Sequence, residues 1–152
     1  MKLKCLLILV IVSLAANVSA MERKKIGVGV IIGQPTGITA KYMLDDDSGI
    51  DAGAGWETSH DNYFHIYGDY LFHLYDVIEV PKGKLPIYFG GGVRWVHREN
   101  KDDKLGIRIP GGVEYIFEDL PLAAFLELVP VLNLSPDTDL DVEAGTGIRF
   151  FF

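Results

Sequence analysis

Two histidines and an aspartate recur at every fourth position of one segment: His65, Asp69 and His73. These residue types bind metal ions or transfer protons. Positions four apart in a strand share a face but lie about 13 Å apart. The two histidines therefore cannot bind one metal ion unless neighbouring strands supply the other ligands. We expect ordinary hydrogen bonding inside the protein for this group, with no metal and no cofactor.

A second stretch, Thr58-Ser59-His60-Asp61, offers a hydroxyl, an imidazole and a carboxylate in one predicted turn. Residues adjacent in sequence rarely form a catalytic triad, and polar residues are what turns contain. The apolar face of the chain carries His97, without a serine on that face. We therefore predict no catalytic residue. Acyl transfer or deacylation of outer-membrane lipid A remains the enzymatic alternative.

Further charged residues fall at alternate positions of hydrophobic segments, as Asp141, Glu143 and Arg149 do in the last one. We predict that four bases and seven acids share one face and pair into a salt-bridged network, because an unpaired buried charge costs several kcal/mol. A gated ion path is the alternative. The set comprises Lys41, Asp51, Glu57, Asp69, Arg94, Arg108, Glu114, Glu127, Asp141, Glu143 and Arg149.

These charges require strands to position them. Seven turn-rich stretches separate eight alternating segments, and no helical period follows the first twenty residues. Pro110 and Pro130 each remove a ladder hydrogen bond within a segment, so we expect bulges there. The predicted strands are 25–32, 37–44, 50–57, 63–74, 85–97, 104–117, 121–133 and 139–152.

Alternation alone allows either a soluble barrel with an apolar interior or a membrane barrel with an apolar exterior. Glycines favour the membrane barrel, because they share the charged face and a narrow lumen needs small residues beside long ones. An even, closed set of strands leaves no unpaired edge in lipid. We predict an all-β fold: a closed, antiparallel, eight-stranded, up-and-down transmembrane β-barrel with a polar lumen and an apolar exterior. The glycines are Gly27, Gly29, Gly53, Gly55, Gly90, Gly92, Gly106, Gly112, Gly145 and Gly147.

Aromatic residues of the apolar face separate into two groups by height. Two such girdles around an aliphatic band are typical of membrane interfaces. The group at the end of the chain termini is Tyr42, Phe72, Phe89, Tyr115, Phe117 and Phe152, and the group at the opposite end is Trp56, Phe64 and Trp95.

Residues 1–20 are predicted to be a secretory signal peptide, with Lys2 and Lys4 before an apolar run and cleavage after Ala20. Residues 21–152 then form the barrel domain. Removal of the signal leaves 12 basic and 21 acidic residues, a net charge of −9, which excludes a nucleic-acid binder. Cys5 is lost as well, which excludes disulfides, thiolate metal sites and a cysteine nucleophile in the mature chain.

The last strand ends in alternating aromatics, Phe150 and Phe152, and resembles the C-terminal signal by which bacterial outer-membrane barrels are recognised for assembly. The mature chain resembles the small eight-stranded outer-membrane barrels of the OmpX and OmpA-transmembrane type. It is more closely similar to a poorly characterised group of outer-membrane barrels of spirochaetes and some proteobacteria. The likeness lies in 83–88 (GKLPIY), 105–110 (LGIRIP), 125–130 (FLELVP) and 147–152 (GIRFFF). The resemblance implies fold and location, and that group has no agreed activity.

We therefore expect a monomeric outer-membrane barrel with a structural or surface-interaction role and no catalysis. Its expected partners are outer-membrane lipid and the barrel-assembly machinery. A surface adhesin would bind its ligand through the loops at 98–103 and 135–139. A soluble periplasmic lipid-binding barrel is the remaining alternative.

Overall fold

The computed structural model describes residues 25–57, 63–99 and 101–152, and the regular elements within these ranges are all strands. No helix in this part of the chain is long and apolar enough to cross a membrane. The strands are β1 (Ile26–Gly33), β2 (Gly37–Met43), β3 (Ser48–Glu57), β4 (Tyr63–Leu74), β5 (Ile87–Arg98), β6 (Lys104–Arg108), β7 (Gly111–Ile116), β8 (Leu122–Ser135) and β9 (Asp139–Phe151).

The sheet closes on itself, and all its pairings are antiparallel. Strands adjacent in the chain pair with each other except β6 and β7, and β1 completes the ring by pairing with β9. Just beyond that seam the Phe152 amide donates to the Ile26 carbonyl at 2.9 Å. β6 and β7 both lie between β5 and β8 and together form one barrel strand. The predicted all-β, eight-stranded, up-and-down barrel is confirmed.

The sixth predicted strand, 104–117, is divided at Pro110 into β6 and β7. β6 and β7 share a single register against β5, and they share a single register against β8 across the division. The register shift in this region instead falls between Leu105 and Gly106, opposite the end of β8. The prediction of a bulge at Pro110 is therefore wrong.

The ladder stays in register at both prolines because each proline carbonyl still accepts a hydrogen bond from the paired strand. The Ile109 amide donates to the Pro130 carbonyl and the Gly90 amide to the Pro110 carbonyl, both at 3.0 Å. The two residues of an antiparallel hydrogen-bonded pair normally exchange two such bonds. Proline has no amide hydrogen, so each of these pairs lacks one bond and retains the other. β8 and β9 also remain in register through Pro130, and the bulge predicted there is wrong too.

β3 begins at Ser48, two residues before the predicted start. The Asp45 carboxylate explains this, because its Oδ1 accepts the backbone amides of Asp47 at 2.9 Å and Ser48 at 2.7 Å. This side-chain cap completes the turn at Ser48. The Leu44 amide then donates to the Ser48 carbonyl at 2.9 Å and starts the ladder.

The connection between β4 and β5 covers residues 75–86, on the side of the chain termini. Its last part returns to the sheet, because the Lys84 amide donates to the Ile116 carbonyl at 3.0 Å. The Tyr115 hydroxyl donates to the Lys82 carbonyl at 2.9 Å and holds the preceding residues. The connection therefore folds against the barrel end.

The barrel has a charged interior and an apolar exterior. Large aliphatic side chains on alternate positions are exposed, with Leu126 at 59% and Leu140 at 69% of their full accessible area. The intervening positions of the strands are buried, and they carry most of the charged residues of the strands. The buried polar side chains in the described ranges are Thr39, Lys41, Ser48, Asp51, His65, Asp69, His73, Arg94, Arg108, Glu114, Glu127, Asn133, Glu143 and Arg149.

Glycines on the inner face give room to large lumen side chains. A Cβ built on Gly53 would lie 2.6 Å from the Tyr67 ring carbon Cζ, and one on Gly147 would lie 2.7 Å from Phe125 Cζ. Both distances are below van der Waals contact. The lumen can therefore hold these rings only because the opposite strand has no side chain at these positions.

Candidate functional site

Nine of the eleven predicted lumen charges are buried inside the barrel. Asp141 lies at the end opposite the termini, with its side chain 38% exposed. The side chain of Glu57 lies outside the described residues. Strands from all sides of the ring contribute to the buried set, which comprises Lys41, Asp51, Asp69, Arg94, Arg108, Glu114, Glu127, Glu143 and Arg149.

Arg108 of β6 occupies the middle of the lumen, and its side chain is completely buried. Its Nε donates to Asp69 Oδ1 at 2.9 Å, and its guanidinium carbon lies 3.9 Å from the centre of the Tyr67 ring. Its terminal nitrogens lie 3.7 Å from Glu127 Oε1 and 3.5 Å from Glu143 Oε1. One guanidinium group thus faces carboxylates from three strands.

Arg149 of β9 makes a second centre, closer to the chain termini. Its Nη2 donates to Asp51 Oδ2 at 3.1 Å and to the Thr39 hydroxyl at 2.9 Å. Its Nη1 lies 3.5 Å from Glu114 Oε2, and the guanidinium carbon lies 4.1 Å from the centre of the Phe125 ring. Arginine is suited to this position because its planar group can stack on a ring while donating in several directions.

Lys41 and His73 connect this centre to the turn after β2. The Lys41 amine donates to Glu114 Oε1 at 3.2 Å and contacts His73 Nε2. His73 Nδ1 lies 2.9 Å from the Asp47 carbonyl, which can only accept, so Nδ1 carries the proton. Its Nε2 is then the acceptor for Lys41, and the imidazole is neutral.

Arg94 forms the third centre, at the end opposite the termini. Its two terminal nitrogens contact Glu143 Oε2 at 2.9 Å and Asp141 Oδ2 at 3.1 Å. It also donates to the Asn133 side-chain carbonyl, and the Asn133 amide in turn donates to Asp141 at 2.7 Å. His65 lies beside this group, with Nδ1 3.8 Å from Glu143.

The three centres separate two cavities, one at each end of the barrel. The cavity at the end opposite the termini has a volume of about 300 Å³ and reaches Arg94 and Glu143. The cavity at the termini end has about 910 Å³, and Tyr75 lies in its wall. Burial, followed by the nearby Glu114 charge, raises the pKa of Tyr75 to about 12, so its hydroxyl stays protonated at neutral pH. Further lining residues there include Asp45, Lys84, Glu114 and Phe151.

This arrangement can cross-link the barrel wall by ion pairs. Removing one partner from a buried pair costs about 3–5 kcal/mol, because the other charge is left uncompensated. His65, Asp69 and His73 point into the lumen without forming a metal site, and no group of three or more potential ligands occurs in the described ranges. In the described residues these ion pairs span the lumen between the two cavities.

Sequence reasoning did not select the uncharged members of this network. The Tyr88 hydroxyl donates to Glu127 Oε2 at 2.9 Å, and Asn133, Tyr67, Phe125 and Thr39 contact arginines as described above. These residues share strand parity with the charged positions, and that parity is the signal that could have identified them. Aromatic rings also occupy the lumen because cations stack on them.

The outward-facing aromatics occupy both ends of the barrel. Phe64 and Trp95 pack edge to face with ring centres 6.3 Å apart, and Trp56 is opposite Phe64 in the β3–β4 register. This group is confined to β3–β5. At the termini end Phe72 and Phe89 are 6.1 Å apart. Tyr42, Tyr115, Phe117 and Phe152 also lie at that end.

The predicted assembly residues, Phe150 and Phe152, lie at the termini end with ring centres 6.1 Å apart. Phe150 is half exposed on the apolar exterior. The intervening Phe151 has the opposite parity, and its ring occupies the space beside Gly27. The last three residues thus contribute to both faces of the wall.

The residues considered for catalysis do not assemble into a site in the described part of the chain. Thr58-Ser59-His60-Asp61 lies outside the described residues. His97 is exposed, and its Nδ1 lies 2.8 Å from Asp103 Oδ1. The other oxygen of that carboxylate accepts the Trp95 indole N–H at 3.2 Å. This pair holds the β5–β6 turn against the barrel.

The chain matches no family model and no curated protein. Among solved structures, it is similar to the N-terminal β-barrel domain of Pseudomonas aeruginosa OprF, with a TM-score of 0.67 and 18% identity over 86% of this chain and 98% of that one. It is also similar to Ail, the attachment invasion locus protein of Yersinia pestis, with a TM-score of 0.43 and 13% identity over 84% and 97%. The likeness to the OprF domain shows that this chain shares the fold of that β-barrel domain.

Proposed function

We propose that the protein is a small, monomeric, integral outer-membrane β-barrel with a structural role, whose lumen is closed by ion pairs and which carries no catalytic site. The observation that carries this proposal is the distribution of side chains across the wall. Side chains such as Leu126, Leu128 and Val142 are about 60% exposed, while the lumen arginines at 94, 108 and 149 are at most 5% exposed. A membrane barrel requires this distribution, and a soluble barrel requires the reverse.

An aqueous environment would not stabilise this surface. A soluble monomer rarely exposes a continuous apolar patch larger than a few hundred Å². Here exposed aliphatic or aromatic residues occur on every strand from β1 to β6 and again on β8 and β9. Lipid is the solvent that favours such a belt, and the closed ladder leaves no edge strand to be satisfied in it.

Cell fractionation combined with heat-modifiable gel mobility tests this proposal. The full chain should be recovered with the outer membrane and should migrate as a compact species unless it is boiled, because a closed barrel resists detergent. Recovery in the soluble periplasm would overturn the membrane assignment and would favour a soluble lipid-binding barrel. Sedimentation of the detergent-solubilised protein tests the monomer.

The ion-pair network supports a closed lumen rather than a channel. Lys41, Arg94, Arg108 and Arg149 are all held by carboxylates across the lumen, and an eight-stranded barrel is only wide enough for its own side chains. Purified protein in planar bilayers should therefore give no steady conductance. A steady single-channel current would contradict the closed lumen while leaving the membrane assignment intact.

The end of β9 supports delivery by the barrel-assembly machinery. Phe150 lies outside the wall and Phe152 hydrogen-bonds to Ile26 at the seam. Phe152→Ala should lower the amount of folded protein in the outer membrane, measured by heat-modifiable mobility. Tyr42→Ala is the matched control, because it removes an exposed aromatic near the same end without altering the final strand. Equal losses in both variants would argue against a specific role of the C-terminal residue.

A further inference from the structure

Two aspartates face each other across the β3–β4 pair in the lumen. Asp51 and Asp69 are direct partners in the strand register, and they are only 3% and 4% exposed. Directly opposed residues of an antiparallel pair have Cβ atoms about 4.5–5.5 Å apart, so the two carboxyl groups are neighbours inside the barrel. Like charges directly opposite on neighbouring strands destabilise a sheet, so two ionised carboxylates would oppose the pairing that the structure shows.

Each carboxyl group has one oxygen with a partner and one without. Asp51 Oδ2 accepts from Arg149 at 3.1 Å, and Asp69 Oδ1 accepts from Arg108 at 2.9 Å. Asp51 Oδ1 and Asp69 Oδ2 have no hydrogen-bond partner, and each has less than 1 Å² of accessible area. No water molecule can contact an oxygen so enclosed. A proton on one carboxyl group supplies the missing donor without requiring space.

The charge balance of the buried network supports one additional proton. Among the residues that the structure describes, five buried carboxylates face four buried cations. His73 adds no charge, because its Nε2 accepts from Lys41. A charged His65 would have two N–H donors, but Nε2 lacks a partner and Nδ1 is 3.8 Å from Glu143. One proton on a carboxyl group makes the buried set neutral.

The surroundings of the pair hold both carboxyl groups in place. A Cβ on Gly92 would overlap Asp69 Oδ1, so β5 leaves this carboxyl group its space. The arginines hold one oxygen of each carboxyl group, and the two unpaired oxygens, Asp51 Oδ1 and Asp69 Oδ2, belong to directly opposed residues. The titratable groups around the pair are Lys41 from β2, Tyr67 from β4, Arg108 from β6, Glu127 from β8 and Arg149 from β9. The two arginines in turn contact Glu114 from β7 and Glu143 from β9.

We propose that Asp51 and Asp69 form a binding site for a single proton, held between Asp51 Oδ1 and Asp69 Oδ2 in the middle of the lumen. Loss of this proton as the pH rises places two negative charges opposite each other on β3 and β4. The site thereby makes the strength of the lumen network depend on pH. This inference concerns the interior and does not rest on the membrane location.

Infrared difference spectroscopy of the folded full chain in detergent tests the site directly. The wild type should show the carbonyl stretch of a buried protonated carboxyl group, which shifts in D2O and disappears as the pH is raised. Asp51→Asn and Asp69→Asn each keep a side chain of the same shape and should each remove this band. Asp141→Asn should retain it. A wild-type spectrum without the band overturns the proposal, and so does a band that both Asn variants retain.

The wild type alone provides a second measurement, which is independent of whether the variants fold. The relevant pH range begins where the unfolded aspartate ionises and ends where the native pair releases its proton. Within this range the native state binds one proton more than the unfolded state. The folding equilibrium constant should therefore fall about tenfold for each unit of pH increase. Asp51→Asn should remove this slope. A wild-type slope of zero through this range would show that both carboxylates are ionised and would overturn the proposal, with the barrel fold unaffected.

Discussion

The guanidinium carbon of Arg108 lies 3.9 Å from the centre of the Tyr67 ring, while the Nε of the same group donates to Asp69 at 2.9 Å. Tyr67 and Asp69 are two residues apart on β4, so one strand supplies both the ring and the carboxylate. The arginine is thus held on an aromatic surface and neutralised from the side. Cation–π contacts of this kind gain strength when both groups are removed from water.

Arg108→Met should lower the free energy of unfolding by about 3–5 kcal/mol, because Asp69 is left buried without its cation. Denaturant unfolding in detergent micelles measures the loss. Tyr67→Phe retains the ring and removes only the hydroxyl, so it should have a much smaller effect. If both variants lost the same stability, the ion pair would not be the main stabilising contact of this residue.

Leu126→Arg should destabilise the barrel by about 2–4 kcal/mol, because it places a charge near the middle of the lipid-facing wall. Leu140→Arg makes the same chemical change at the start of β9, near one edge of the barrel wall, and should cost only about 0–1 kcal/mol. Unfolding of both variants in lipid vesicles compares the two depths. Equal costs would contradict the orientation of the wall in a membrane.

Gly53→Ala should destabilise the protein by about 1–3 kcal/mol, because the added methyl overlaps the Tyr67 ring in a filled lumen. Gly111→Ala is the matched control, since a Cβ there meets no atom within 4 Å. We expect its effect to stay within about 0.5 kcal/mol. The difference in unfolding midpoint between the two variants gives the measurement. Similar midpoints would show that the lumen can rearrange to admit the methyl group.

The turn before β3 should open in acid. The backbone amides of Asp47 and Ser48 lower the pKa of the Asp45 carboxyl below its ordinary value. A lowered pKa contributes stability above the ordinary aspartate pKa, and this stability is lost as the pH falls through the lowered value. Hydrogen exchange at the Ser48 amide should therefore speed up in strong acid. Asp45→Asn, which keeps the acceptor, should remove this acid dependence, and Asp45→Ala should abolish the protection at every pH.

Period-two alternation was sufficient to predict the barrel. β2 and β4 begin at predicted residues, and β9 begins at its predicted residue because Asp139 is the first position of an unbroken alternation. The bulges predicted at the prolines were wrong, because sequence does not show whether the paired strand can stay in register after it loses the hydrogen bond from one amide. Pro130 retains the Ile109 amide as a partner, and the ladder continues.

The parity of charged residues indicated which side chains share a face, and the structure determines which of them meet. Arg149 is 98 positions from Asp51 in the chain and yet donates to it. Such pairings depend on the stagger of strands around the ring, which no local pattern encodes. The Asp51–Asp69 pair depends in the same way on the β3–β4 register. Uncharged residues such as Tyr88 and Asn133 could have been identified only by the parity that they share with the charged positions.

The hydrogen bond between Phe152 and Ile26 places the two ends of the barrel, the start of β1 and Phe152, side by side at one seam of the ring. This seam has the same ladder as the others, so the protein has no structurally distinct first strand. A short linker between the ends would permit circular permutants that open at the connection between β8 and β9. Their refolding would show whether assembly depends on the order of strands or only on the completed circle.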